Sequence, residues 1–315
     1  MKKFLGLMLV VMCIALPIFA NGANEVADDG KTDIAVLIKA TDSGFWNKVA
    51  EGALAYGEEH DDVNVTVQGP ASEANIEKSL SLLENVLLSA PDAIVLGSNA
   101  GQGASVAIAD AKAAGIPVIT IDTKLPSTDV VCHLATDNVK GGLYAADALV
   151  KSLKDNGKEL KGTVVIIAAV AGVQTIIERD KGFIDQMAII APNIKVAEPQ
   201  YIANEIATAM STTENLMLTY GDELVGIYAD NNHGGDGVAR AIEQAGQQDN
   251  IYVVAFDDDQ EELDACKNNI IKALIIQDQF NMGYSGVEYA MKAINGTLDT
   301  DYVDTGVAVT WPADL

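Results

Sequence analysis

Five consecutive apolar residues, Ile34-Ala35-Val36-Leu37-Ile38, run directly into a helix-start signal at Asp42-Ser43, and this rhythm repeats through nearly the whole chain. A short apolar run bounded by turn residues is the pattern of a strand buried on both faces, and parallel sheets bury both faces beneath crossover helices. Further strand-like runs fall at 63–68, 93–96, 116–122, 130–135, 163–168, 194–201, 225–229, 251–256 and 273–276, with shorter ones near Tyr302 and at 307–310. The segments between carry helical spacing, as at Leu80, Leu83, Val86 and Leu87 within 72–89, and a long helix is expected at 280–295. Strand–helix alternation of this regularity predicts an α/β fold with doubly wound parallel sheets. At 315 residues the chain exceeds one core. The rhythm restarts after about residue 138, which predicts two Rossmann-like lobes with no long linker between them.

The first twenty residues stand apart. Lys2 and Lys3 precede an apolar run from 4 to 16 and a small residue at Ala20. That is the layout of a cleaved secretory signal peptide, 1–20. Lipidation at Cys13 is the alternative, but Val10-Val11-Met12 lacks the small residues such a site requires. Residues 21–31 read as a polar tether. The net charge of −25 becomes more negative once two lysines leave with the signal, which disfavours nucleic acid and anionic membrane as partners. Cys132 and Cys266 remain, without a CxxC and with three histidines in the whole chain. A disulfide is open to them in an oxidising compartment, but two buried free thiols is the expectation and no metal site is expected.

Polar residues gather where the strands end: Lys39 and Asp42 with Phe45 and Trp46, then Asp122, Asp230-Asn231-Asn232-His233, Asp257-Asp258-Asp259 and Gln277-Asp278-Gln279. In open parallel sheets ligands bind in the crevice at the carboxyl ends of the strands. Each cluster alone reads first as helix capping, while Phe45 and Trp46 alone are as open to plain core as to a ligand. Their recurrence after strand upon strand favours one rim around a ligand. The Gly97-Ser98-Asn99-Ala100-Gly101-Gln102-Gly103 turn lacks GxxxxGK[ST], and no nucleophile–His–Asp set or dinucleotide fingerprint is present, so a catalyst is not expected.

Several stretches resemble ribose-type periplasmic sugar-binding proteins: 34–49 with its Phe-Trp pair, Gly115-Ile116-Pro117-Val118-Ile119-Thr120-Ile121-Asp122, Ala135-Thr136-Asp137-Asn138, Glu178-Arg179-Asp180-Lys181-Gly182-Phe183 and Val253-Val254-Ala255-Phe256-Asp257. The resemblance covers 32–310 in order. It implies the type I periplasmic binding protein fold: an N-terminal lobe of 32–136 plus 278–306, a C-terminal lobe of 137–277 plus 307–315, and a three-segment hinge. It also implies closure on a sugar delivered to an ABC transporter membrane permease, in an extracytoplasmic monomer without cofactor. Phe45 and Trp46 would stack on the sugar ring, while Asp122, Asn231, Asp257 and Gln277 would hydrogen-bond its hydroxyls.

The departures bear on the ligand. Where ribose binders resemble one another in an arginine after the crevice aspartate, this chain has Thr123. A second clamping arginine falls at Ile177, and Arg179 matches one that is not usually a direct clamp. Asn204 stands where the second lobe's aromatic is expected, and Lys39 replaces a small polar residue. The expected ligand is therefore a small sugar or polyol other than ribose, touched directly by Lys39 rather than enclosed by a lobe-closing Lys39 salt bridge. The alternative is a sugar-like signal such as autoinducer-2, read through a transporter, a chemoreceptor or a sensor kinase; a sugar-responsive transcriptional regulator is disfavoured because the signal peptide occupies the place of its DNA-binding segment.

Overall fold

The computed structural model describes residues 30–315. The expected signal peptide, Cys13 and most of the expected tether lie outside the described residues. In chain order the strands are β1 (Thr32–Leu37), β2 (Val63–Gln68), β3 (Ala93–Leu96), β4 (Val118–Ile121), β5 (Cys132–Ala135), β6 (Gly162–Ala168) and β7 (Ile194–Val196). They continue with β8 (Gln200–Tyr201), β9 (Leu224–Ala229), β10 (Tyr252–Phe256), β11 (Ile271–Gln277), β12 (Tyr302–Asp304) and β13 (Val307–Thr310). The helices are α1 (Gly44–Glu59), α2 (Ile76–Leu88), α3 (Ser105–Ala113), α4 (Asn138–Asp155), α5 (Gln174–Ile190), α6 (Ile206–Tyr220), α7 (Asn232–Ala245), α8 (Gln260–Lys267) and α9 (Gln279–Ile294).

Two sheets result. The first runs β2-β1-β3-β4-β5-β12 and is parallel throughout; the second runs β7-β6-β9-β10-β11-β13, with β8 beside β6 and only β13 antiparallel. Both therefore share one winding order, and both bury both faces. Ile34 and Val36 of β1 join Phe45, Trp46, Met282 and Val287 on one side, while Ala35 and Leu37 join Leu83 and Ile108 on the other. In the second sheet Val164 and Ile166 pack toward α4 and α5, and Val165 and Ile167 toward α6 and α7. Continuous apolar runs follow directly from this two-sided burial.

The chain passes between the sheets at three places: β5 to α4, β11 to α9, and β12 to β13. Helices α1 and α9 pack together against the first sheet, α4 and α5 against the second. Both pairs approach closely through glycine. A Cβ on Gly52 would sit 1.9 Å from Phe280 O, and one on Gly142 would sit 1.9 Å from Arg179 O. The second contact brings α5, and with it Arg179, against the start of α4.

Two expected elements differ. The strand expected at 194–201 is broken into β7 and β8 around Pro199, which has no N–H for a ladder. The helix expected from residue 72 begins at Ile76, because Asn75 caps it by accepting from Lys78 N at 3.1 Å. Residues 72–75 consequently form a turn that carries Glu73. Cys132, on β5, and Cys266, in α8, are buried and free, and burial pushes both thiols up to about 11.

Candidate functional site between the lobes

A narrow cavity lies where the carboxyl ends of the two sheets face each other, within about 450 Å³ of empty space that includes open solvent. From the first lobe Lys39, Phe45, Trp46, Glu73, Asn99 and Asp122 line it. The second lobe contributes Ala169, Val170, Val173, Thr175, Ile176, Arg179, Asn231, Asn232 and Asp257, with Gln277 at the crossover from β11. Seven expected residues thus meet: Lys39, Phe45, Trp46, Asp122, Asn231, Asp257 and Gln277. Asp42 does not; it is exposed, on the outer side of the β1–α1 turn. Asn204 lies behind the wall, buried, where its Oδ1 accepts from Asn231 Nδ2 at 2.6 Å. The place expected of an aromatic is thus filled by an amide that holds another amide.

Phe45 and Trp46 belong to both alternatives. They sit edge to face, centroids 5.0 Å apart, and are part of the first lobe's core while also lining the cavity. The strand-end clusters divide between the two roles by position. Asp259 and Asp278 cap α8 and α9 by accepting from Glu262 N and Asn281 N. Asp257 and Gln277, nearer their strands, face the cavity instead. Asn231 does both, accepting from Gly234 N at 3.1 Å as the cap of α7.

Charge in the site is unevenly satisfied. Lys39 Nζ lies 2.5 Å from both Asp122 Oδ2 and Thr123 Oγ1, with its ammonium 5.5 Å from the Trp46 ring centroid. Both ends of this pair are in the first lobe, so it does not bridge the lobes. Burial alone would raise the Asp122 carboxyl, but Lys39, then Arg179, and hydrogen bonds from Lys39 and Thr123 hold it below its ordinary value. Asp257 is the reverse case: burial pushes it up to about 7 against the pull of Arg179 and Gln277 Nε2, which donates to Oδ1 at 2.7 Å. Gln277 Oε1 is buried with no donor.

Arg179, which was not among the expected site residues, also lines the cavity. It is buried, its guanidinium 3.9 Å from the Phe256 ring centroid, and it donates from Nε to Asn138 Oδ1 (2.9 Å) and from Nη1 to Asp230 O (2.7 Å). A guanidinium has five N–H donors, and these two bonds use two of them. The signal for it was the first turns of α5 pointing at the same crevice as the strand ends. Behind it, Asp230 Oδ2 and Asp180 Oδ1 are buried without donors. One proton shared between them satisfies both; burial first, then mutual repulsion, pushes Asp230 well above its ordinary value and burial pushes Asp180 up to about 7.

The lobes touch beside the cavity. Lys48 Nζ meets Asp258 Oδ1 at 2.7 Å, Gln279 Nε2 donates to Asp258 Oδ1 at 2.8 Å, and Asn232 Nδ2 donates to Ser43 Oγ at 3.3 Å. This is a closed arrangement, held by few direct contacts. Among the described residues no group of three or more His, Cys, Asp or Glu side chains is placed to hold a metal, and no helix is long and apolar enough to cross a membrane.

Two doubly wound lobes closed over a cavity with an aromatic wall and a polar rim define a two-lobed protein that binds a small polar molecule. The chain belongs to the periplasmic binding protein family: the periplasmic binding protein domain matches residues 34–298. It is 29% identical over 296 residues to the ribose import binding protein RbsB of Salmonella typhimurium, covering 94% of each chain. It is 31% identical over 267 residues to the D-apiose import binding protein of Paraburkholderia graminis, covering 82% of this chain and 80% of that one. The solved structure of a carbohydrate transporter solute binding protein from Agrobacterium radiobacter, in complex with D-arabinose, is 31% identical and matches with a TM-score of 0.86 over 91% of this chain and 96% of that one.

Proposed function

We propose that this protein is an extracytoplasmic solute-binding protein that captures a small neutral sugar or polyol between its lobes and delivers it to an ABC permease. The observation that carries this reading is the composition of the closed cavity. A sugar has apolar C–H faces and a hydroxyl edge, and Phe45–Trp46 supply flat apolar surface while Lys39, Arg179, Asn231, Asp122, Asp257 and Gln277 supply donors and acceptors around it. Residues 32–136 plus 278–306 act as one lobe and 137–277 plus 307–315 as the other, hinged at the three crossovers. Export by residues 1–20 and a monomeric state belong to the same reading.

Lys39 supports a ligand other than ribose. An ammonium has three donors; two go to Asp122 and Thr123, and the third is available to the ligand. The position after the crevice aspartate holds a hydroxyl that turns toward Lys39 instead of a second clamping cation. A thermal-shift screen across pentoses, hexoses and polyols tests the function, because a ligand that binds only the folded state must raise its stability. At a ligand concentration one hundred times Kd the gain is about 2.7 kcal/mol. No shift with any member, or turnover of a member by the purified protein, refutes the reading.

A further inference from the structure

Glu73, in the turn ahead of α2, is held at both carboxylate oxygens. Trp46 Nε1 donates to Oε1 at 2.7 Å, and Asn99 Nδ2 donates to Oε2 at 3.0 Å. All three side chains line the cavity. A carboxylate only accepts, so the Asn99 amide has one orientation, with Nδ2 toward Glu73 and Oδ1 away. That Oδ1 is buried with no donor from the protein. Gly97 leaves the indole its place, since a Cβ there would lie 2.9 Å from the ring. One carboxylate thus fixes both the plane of Trp46 and the polarity of Asn99.

We propose that Glu73 is the residue that positions the specificity of this site. Through Asn99 it presents a bare acceptor that selects a ligand with an O–H donor at this corner, and through Trp46 it sets the plane on which the ring stacks. The cavity is then polarised, with donors at Lys39 and Arg179 and acceptors at Glu73 and Asn99. The ligand class narrows to neutral polyhydroxy compounds with a free hydroxyl at the Glu73 end. An ether leaves Oδ1 unpaired there, and a phosphate or carboxylate meets a second anion. This inference rests on the sugar reading above and refines it.

The test is Glu73→Gln, which is isosteric. Glutamine keeps an oxygen for Trp46 Nε1 but turns its own N–H₂ toward Asn99, so the Asn99 amide must reverse and present Nδ2 to the cavity. D-arabinose, D-ribose, D-allose, D-fucose, D-tagatose and xylitol are titrated first, followed by the monodeoxy-monofluoro analogues of the tightest binder. Fluorine cannot donate. In the wild type one analogue should bind at least about tenfold more weakly than its parent, because a site built around a hydroxyl rejects the analogue that lacks it. In Glu73→Gln the penalty for that same analogue should fall to under about threefold. Glu73→Ala, read without ligand, should expose the Trp46 indole N–H to rapid exchange by NMR while Glu73→Gln preserves its protection, with Trp46→Phe assigning the signal against Trp311. An analogue pattern identical in wild type and Glu73→Gln, or an indole signal unmoved in Glu73→Ala, overturns the inference alone. Binding of none of the six compounds overturns the sugar reading and the inference with it.

Discussion

Lys39→Met removes an ammonium that lies 2.5 Å from two oxygens, in a pair whose side chains are 4% and 8% exposed. Methionine keeps much of the stem's bulk and none of its charge. Breaking a buried pair from one side costs about 3–5 kcal/mol, because the surviving charge stays buried. Arg179 remains as a second favourable charge for Asp122, so the lower end, about 3 kcal/mol, is expected at pH 7.5. For a unit of this size that lowers Tm by about 6–12 °C. The pH dependence carries the cause. In the wild type Asp122 is held below its ordinary value, so its contribution is present at neutral pH and is lost as pH falls through the folded value. In Lys39→Met burial dominates and raises the carboxyl, so the variant is penalised as pH rises, and its deficit against the wild type should shrink toward pH 4. Lys39→Met/Asp122→Asn should recover most of the stability at pH 7.5. Because Lys39, Asp122 and Thr123 share one lobe, the ligand-free radius of gyration by small-angle scattering should not change. Calorimetry showing a loss under about 1 kcal/mol with no narrowing at low pH would refute the pair's organising role.

Trp46→Ala should weaken binding of the ligand found by screening at least about tenfold, or 1.4 kcal/mol by titration calorimetry. It should also lose about 3–5 kcal/mol of stability, since Trp46 is 1% exposed and part of the core; unchanged affinity would remove it from the site. Lys48→Met deletes a partly exposed bridge across the lobes, worth about 0.2–1 kcal/mol. The ligand-free closed population should fall by no more than about fivefold, measured by lobe-to-lobe distance with paired labels. Asp180 and Asp257, each pushed up to about 7, and Asp236, pushed up to about 8, hold protons in the folded state that the unfolded chain releases nearer pH 4. These three groups therefore contribute stability that declines as pH rises from about 4 through 8, against the opposite contributions of Asp122 and His133, which are held below their ordinary values. Asp236→Asn should raise Tm at pH 8 and leave it nearly unchanged at pH 4, and a Tm difference from the wild type that is the same at both pH values would contradict the buried proton.

Much of this was legible in the chain because two-sided burial writes itself as apolar runs. The shared winding of both sheets needed only strand–helix alternation and short connections. The rim was legible as strand-end polarity, yet the sequence could not say which member of each cluster turns inward. That depends on where the helix begins: Asp259 caps α8 and leaves Asp257 to the cavity, whereas Asp42 precedes a helix whose N-cap, Ser43, makes no side-chain cap and is left outside. Glu73 was hidden because helical spacing ran through it, and only the cap at Asn75 shows that it sits on a turn. Arg179 and Asn138 are 41 residues apart, and what joins them is the glycine-mediated approach of α4 and α5. Side chains that meet only through such packing leave no local pattern to read.

Asp122 and Asp257 occupy equivalent places, each following the fourth strand of its sheet's winding, with N–H groups donating 2.9 Å to Leu134 O and Ile275 O. Both adopt left-handed backbone, φ +63° and +82°, which Asp tolerates better than most residues and which turns each side chain out of the ladder toward the cleft. One device placed twice yields opposite groups, because Lys39 bonds Asp122 directly and holds it below its ordinary value, whereas the pull of Arg179 and Gln277 does not offset the burial of Asp257. At pH 6 Asp122 is a fixed acceptor, while Asp257 is mostly a neutral acid able to donate one hydrogen bond and accept another. Asparagine imitates a neutral acid and not a carboxylate. At pH 6, Asp257→Asn should therefore hold affinity within about threefold, whereas Asp122→Asn, which leaves Lys39 without its counter-charge, should lose at least about tenfold by titration calorimetry. Equal losses for the two variants at that pH would mean that the lobes present the same charge to the ligand, and the donor–acceptor division of the site would have to be abandoned.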